Sequence, residues 1–133
     1  IHVTAAFLPL LRRQSAARII HVSSGLAFVP LASAPVYSAT KAAVHSFALS
    51  LRKQLAGTAV LVIELIPPLV ETNLNRDHAT KSPGSMPLDD FITASMRALD
   101  SGREELPIGL AKVLSVASRA ALGLFMRIVN KPR

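Results

Sequence analysis

Residues 59–66, AVLVIELI, form a nearly continuous apolar run that Pro67 and Pro68 end abruptly. The run is too short for a core helix and lacks polar alternation, so it reads as an interior strand of a parallel sheet covered on both faces. A second β-branched run, RIIHVSS over residues 18–24, lies upstream and stops at Gly25 and a loop carrying Pro30 and Pro35. Between the two runs the period becomes helical. Val36, Thr40, Val44, Phe47, Leu51 and Leu55 recur three or four apart, Lys41, His45, Arg52 and Lys53 fall on other faces, and Gly57 supplies the stop. Parallel strands need a long crossover, so strand, loop, helix and strand predict a βαβ unit with a right-handed connection. The fold class is therefore α/β.

The flanks extend the pattern. Residues 3–14, VTAAFLPLLRRQ, predict a helix with a local adjustment at Pro9. Residues 67–87 are rich in proline and hold the polar insert NRDHATKSPGS, a length associated with lids or irregular excursions. Helical period returns over residues 88–102, with Asp89 and Asp90 at the favourable N-terminal end and Gly102 at the stop. A short extended piece and further apolar helical patterns through Leu122, Phe125 and Val129 complete the chain. No internal repeat or dividing linker interrupts it, so residues 1–133 read as belonging to one domain. The chain opens at Ile1 inside an apolar pattern without an initiator methionine, so an upstream portion is expected.

Charge and composition narrow the partners. Fifteen basic against eight acidic residues give a net charge of +7, yet the basic residues are dispersed. Five phenylalanines, one tyrosine and no tryptophan offer no stacking platform, so nucleic acid is not an expected partner. The absence of cysteine excludes disulfides and zinc–thiolate sites and accords with an expected cytoplasmic location. Arg52, Glu64, Glu71 and Arg127 interrupt the apolar runs before any reaches the roughly 18 residues of a membrane span. His2, His21, His45 and His78 lack metal-ligand spacing and read as structural or surface residues, and no metal site is expected.

One window carries chemistry. Tyr37, the sole tyrosine, precedes Lys41 by four residues, so the two share a helix face. An ammonium beside a phenol favours the phenolate and makes that oxygen an acid/base group for a substrate hydroxyl or carbonyl. Ser24, thirteen residues before Tyr37, leaves a strand on the side where α/β sheets bind ligands and can donate a hydrogen bond to the same substrate oxygen. Ser23 and Ser38 lie in the same window, and spacing alone does not separate them from Ser24.

The ordered Ser24, Tyr37 and Lys41, together with YSATKAAVHSF, closely resemble the classical short-chain dehydrogenases/reductases. The resemblance implies a partial Rossmann-type, doubly wound parallel sheet, an NAD or NADP cofactor and a small alcohol or carbonyl substrate. It makes Tyr37 the proton donor or acceptor and a cofactor-binding residue, Ser24 the group that polarises the substrate oxygen, and Lys41 the contact to the nicotinamide ribose. In ELIPPLVETNL, residues 64–74, Pro67, Val70 and Thr72 match the family's nicotinamide-bordering segment, with Thr72 the implied partner of the carboxamide. Pro68 stands where the family has glycine, so a path needing positive φ is closed to this chain. The tail resembles the DltE-like subgroup.

The resemblance covers the family's second half. A glycine-rich dinucleotide fingerprint is absent from these residues, so the pyrophosphate-binding half is expected upstream and the 133-residue piece alone is expected to be inactive. A homodimer or homotetramer is also implied, the helix over residues 36–56 contributing Ala43 and Ala48 to close packing. The competing class is a noncatalytic binding or oligomerisation module on the same sheet, which cofactor titration distinguishes.

Overall fold

The computed structural model describes residues 1–72 and 84–130. Helix α1 (His2–Leu11) leads into strand β1 (Ala17–Val22), and a short 3-10 turn at Gly25–Ala27 and a loop lead to helix α2 (Pro35–Gln54). Strand β2 (Val60–Ile66), helix α3 (Leu88–Leu99), strand β3 (Glu105–Pro107) and helix α4 (Leu110–Val129) follow. The strands form a parallel sheet in the order β1-β2-β3, with Ala17 opposite Val60, Val22 opposite Leu65, and Glu64 opposite Glu105. Parallel strands joined by helices give the α/β arrangement that the residues predict and the partial Rossmann-type sheet that the resemblance implies.

Alternation along the strands builds two cores. On one face Ile19, Val60 and Val62 pack with Leu51 of α2 and with Leu55 just beyond it, with Leu8 and Leu11 of α1 closing the margin. On the other, Ile63, Leu65, Leu106 and Ile108 pack beneath Phe91, Ala94, Ala98 and Leu99. Buried side chains of this size contribute about 1.5–3 kcal/mol each relative to exposure. Arg52 ties α2 across the sheet: its guanidinium donates to the Val62 and Glu104 carbonyls and pairs with the Glu104 and Glu105 carboxylates.

Element ends follow local chemistry. Pro35 occupies the first turn of α2, where its missing N–H costs no helical hydrogen bond. Gly57 at φ +80° and Gly102 at φ +72° make the turns that release α2 and α3. Asp89 and Asp90 lie in the first turn of α3. Helix α1 runs through Pro9 and ends at Leu11 rather than Gln14. The polar insert, expected as a lid or an irregular excursion, falls mainly on residues 73–83, outside the described residues.

Two expectations for α2 are corrected. Its buried residues are Ser38, Ala48 and Leu51, and Val36, placed on the apolar stripe by periodicity, is 75% exposed. The first turn stands past the end of β1, and there Ser38 turns inward to hold the preceding loop. Ala48, expected on an outer packing face with Ala43, is instead fully buried in the core, while Ala43 is exposed.

Candidate active site

Strand β1 ends at Val22, and Ser23 and Ser24 carry the chain out of the sheet. Ser24 has extended backbone and caps the 3-10 turn, its Oγ accepting from the Leu26 N–H at 3.2 Å. That bond uses a lone pair and leaves the hydroxyl proton for another acceptor. The next residue, Gly25, donates its N–H to the Pro67 carbonyl at 3.1 Å, joining the exits of β1 and β2. A Cβ on Gly25 would stand 3.0 Å from Leu114 Cδ1, so glycine admits α4 against the turn.

Tyr37 projects from the first turn of α2 and is 40% exposed. Lys41, one turn later, donates to the Val22 carbonyl at 2.9 Å, and its Nζ stands 5.6 Å from the Tyr37 ring centroid. The lysine thus fastens the start of α2 to the residue that precedes Ser23 and Ser24. An ammonium has three N–H donors, and the Val22 bond takes one. The geometry sets Ser38 apart from the other two serines of the window. Ser38 is buried, donates to the Ala34 carbonyl and accepts from the Leu31 N–H. Ser23 and Ser24 are both buried, at 1% and 8% exposure, and Ser24 caps the turn.

The segment after β2 lies beside these groups. Pro67 accepts from Gly25, and Val70 pairs with Met86 as an isolated parallel bridge, with Met86 N–H donating to the Leu69 carbonyl and Glu71 N–H to the Met86 carbonyl. Thr72 is exposed at the last described position before residue 84. No non-glycine residue among those described has positive φ, so Pro68 follows a path compatible with its ring. Positive φ appears instead at Gly109, where an added Cβ would meet Met86 Cε at 2.9 Å and Pro68 Cγ at 3.4 Å.

Beneath α2 lies a polar cluster that spacing alone did not reveal. Glu64, fully buried on β2, accepts at 2.8 Å from Nδ1 of His45, which lies one turn beyond Lys41. His45 also stacks at a tilt against Phe28. His21, opposite Glu64 across the sheet, meets Phe47 edge-on. Burial chiefly, helped by the N-terminal charge and opposed by Glu64, holds the His21 pKa below the usual histidine range. The parallel register sets His21 beside Glu64, and the rotation of α2 brings His45 to it.

Among the described residues no cluster suited to a metal ion occurs, and no helix is long and apolar enough to cross a membrane. A groove between α1 and β1 is lined by Phe7, Leu11, Ile20 and His21, and none of Ser24, Tyr37 and Lys41 reaches it.

Comparison with known proteins accords with this geometry. The chain is 43% identical over 123 residues to the uncharacterized oxidoreductase DltE of Bacillus subtilis, covering 90% of this chain and 49% of that protein. A short chain dehydrogenase from Burkholderia cenocepacia, solved in complex with NADP, superposes with a TM-score of 0.82 at 29% identity over 97% of this chain and 53% of that one. Serine dehydrogenase from Escherichia coli superposes with a TM-score of 0.61 at 29% identity, over 79% and 45% of the two chains. The chain therefore spans about half the length of the relatives it matches. The sequence profile of the short chain dehydrogenases matches residues 1–83, and with the DltE likeness this shows that the chain belongs to the short chain dehydrogenase family.

Proposed function

We propose that these residues form the C-terminal part of an NAD(P)-dependent oxidoreductase acting on an alcohol/carbonyl pair. The observation that carries this reading is the Lys41 anchor, which holds Tyr37 and the Ser24 turn at one end of the sheet. The exposed Tyr37 and the two N–H donors left on Lys41 fit the nicotinamide-ribose end of such a cofactor. Lys41 would hold the ribose hydroxyls, and Pro67, Val70 and Thr72 would border the nicotinamide, Thr72 taking the carboxamide. When bound, the nicotinamide supplies or accepts hydride.

Ser24 donates its free hydroxyl proton to the substrate oxygen and fixes that oxygen beside Tyr37. In reduction Tyr37 gives a proton to the oxygen; in oxidation it takes one. The Lys41 bond to Val22 keeps the phenol at a fixed height above the strand end, so proton transfer needs little reorganisation. The 133 residues contain no glycine-rich strand-to-helix turn, and alone they are expected to bind a dinucleotide weakly.

The test uses the full-length protein, with NADPH and NADH against acetophenone and aliphatic ketones, and NADP+ and NAD+ against L-serine and secondary alcohols. Turnover on this panel is expected. Tyr37→Phe is expected to lower the rate of the chemical step by about 100-fold or more while cofactor binding persists, the usual worth of a positioned acid/base group. Retention of the full rate by that variant, with chemistry limiting, would remove Tyr37 from the mechanism.

A further inference from the structure

The loop between Ser24 and Tyr37 is gripped from both sides. From within, Ser38 Oγ accepts from the Leu31 N–H at 3.1 Å and donates to the Ala34 carbonyl at 3.0 Å. From outside, Asn130, just beyond α4, accepts from the Ala32 N–H through Oδ1 and donates to the Pro30 carbonyl through Nδ2 at 3.1 Å. The same Nδ2 donates to the Met126 carbonyl at 2.9 Å, so Asn130 also closes its own helix.

Helix α4 therefore touches the Ser24–Tyr37 connection twice, at Gly25 through Ala111 and Leu114, and at residues 30–32 through Asn130. Between these two contacts α4 is broken by non-helical backbone at Ala121, φ −153° and ψ 51°.

We propose that Asn130 is a positioning residue for the substrate side of the site: it fixes the 28–34 loop, and through it the placement of Ser24 relative to Tyr37. The inference rests on the oxidoreductase reading for its consequence in catalysis. An asparagine suits the task because one planar amide offers an acceptor to Ala32 and donors to Pro30 and Met126. Lys41 is held by Val22 rather than by this loop, so the lysine's hold on the cofactor does not depend on the clamp.

The test compares Asn130→Ala and Asn130→Asp in the full-length protein. Asn130→Ala is expected to speed hydrogen exchange at the Ala32 amide by about tenfold or more and to leave the amides of β2 unchanged. With acetophenone and NADPH as probes, the same variant is expected to raise KM for the ketone severalfold, with KM for NADPH unaltered. Asn130→Asp keeps an acceptor for Ala32 and is expected to restore most of the protection and of the ketone KM. Unchanged exchange at Ala32 would overturn the clamp. Faster exchange at Ala32 and throughout β2, or equal rises in both KM values, would show a merely structural role and overturn the positioning. Failure of the unaltered protein to turn over any of the panel would overturn the oxidoreductase reading and the catalytic consequence with it, while Ala32 exchange still decides the contact.

Discussion

At the scale of single residues, hydroxyl and imidazole groups of similar appearance do different work. Ser24 and Ser38 both serve backbone groups, but Ser38 uses donor and acceptor internally, whereas Ser24 uses only an acceptor lone pair. Ser38→Ala leaves the Leu31 N–H and the Ala34 carbonyl each short of one partner, and an expected cost of about 1–3 kcal/mol follows from losing a part-buried polar partner. Denaturant unfolding of the variant checks this figure. His21 makes a prediction in pH. Its folded pKa lies below its unfolded value, because burial disfavours the imidazolium. Between those values the unfolded chain binds more protons, so stability rises with pH. The His21 contribution is complete above the unfolded pKa of about 6.5 and is lost as pH falls toward the folded value. Histidine to glutamine at position 21 is expected to flatten that part of the stability–pH curve. An unchanged slope would place the titration elsewhere.

At the scale of elements, the boundaries that chemistry punctuates were legible in the sequence and the orientations were not. Pro35, Gly57, Pro67 and Gly102 mark ends of α2, β2 and α3 because ring closure or positive φ acts locally. The apolar run over β2 declared a strand covered on both faces, and both cores are there. Helix rotation is decided by tertiary contact, which explains why Val36 is exposed while Ser38 and Ala48 are buried. For the candidate site, spacing paired Tyr37 with Lys41 and offered Ser23, Ser24 and Ser38, and the family resemblance singled out Ser24, but the Lys41–Val22 bond, the His45–Glu64 pair and the Asn130 clamp join residues 19, 19 and about 100 positions apart. No periodicity encodes those. Gly109 shows the same point in packing. Its backbone at φ +52° and ψ −129° is accessible chiefly to glycine, and a Cβ there meets Met86 and Pro68. Gly109→Ala is expected to destabilise by about 1–3 kcal/mol, and thermal unfolding measures it. The strain falls where β3 passes into α4, so the variant should also loosen the approach of α4 to Gly25.

At the scale of the whole molecule, the two faces of the sheet are covered unequally. Helices α1 and α2 cover the face bearing Ile19, Val60 and Val62, whereas α3 covers the opposite face over β2 and β3. On β1, Ile20 and Val22 point away from α2 and remain 44% and 48% exposed. Among the described residues β1 pairs only with β2, so its other edge offers unpaired backbone groups beside apolar side chains. An apolar, unprotected edge strand is a template for pairing with another chain. Phe7, exposed on α1 beside the same edge, enlarges the apolar surface. The 133-residue chain produced alone is therefore expected to bind a hydrophobic dye and to self-associate at micromolar concentration. Ile20→Lys should reduce that association, because a charge on an edge strand opposes strand addition and Ile20 is not in either core. The full-length protein, by contrast, is expected to sediment as a discrete dimer or tetramer. Sedimentation velocity on the three samples tests this: a monodisperse, dye-silent 133-residue monomer would show that β1 needs no neighbour, and equal association of the Ile20→Lys chain would place the contact on another surface.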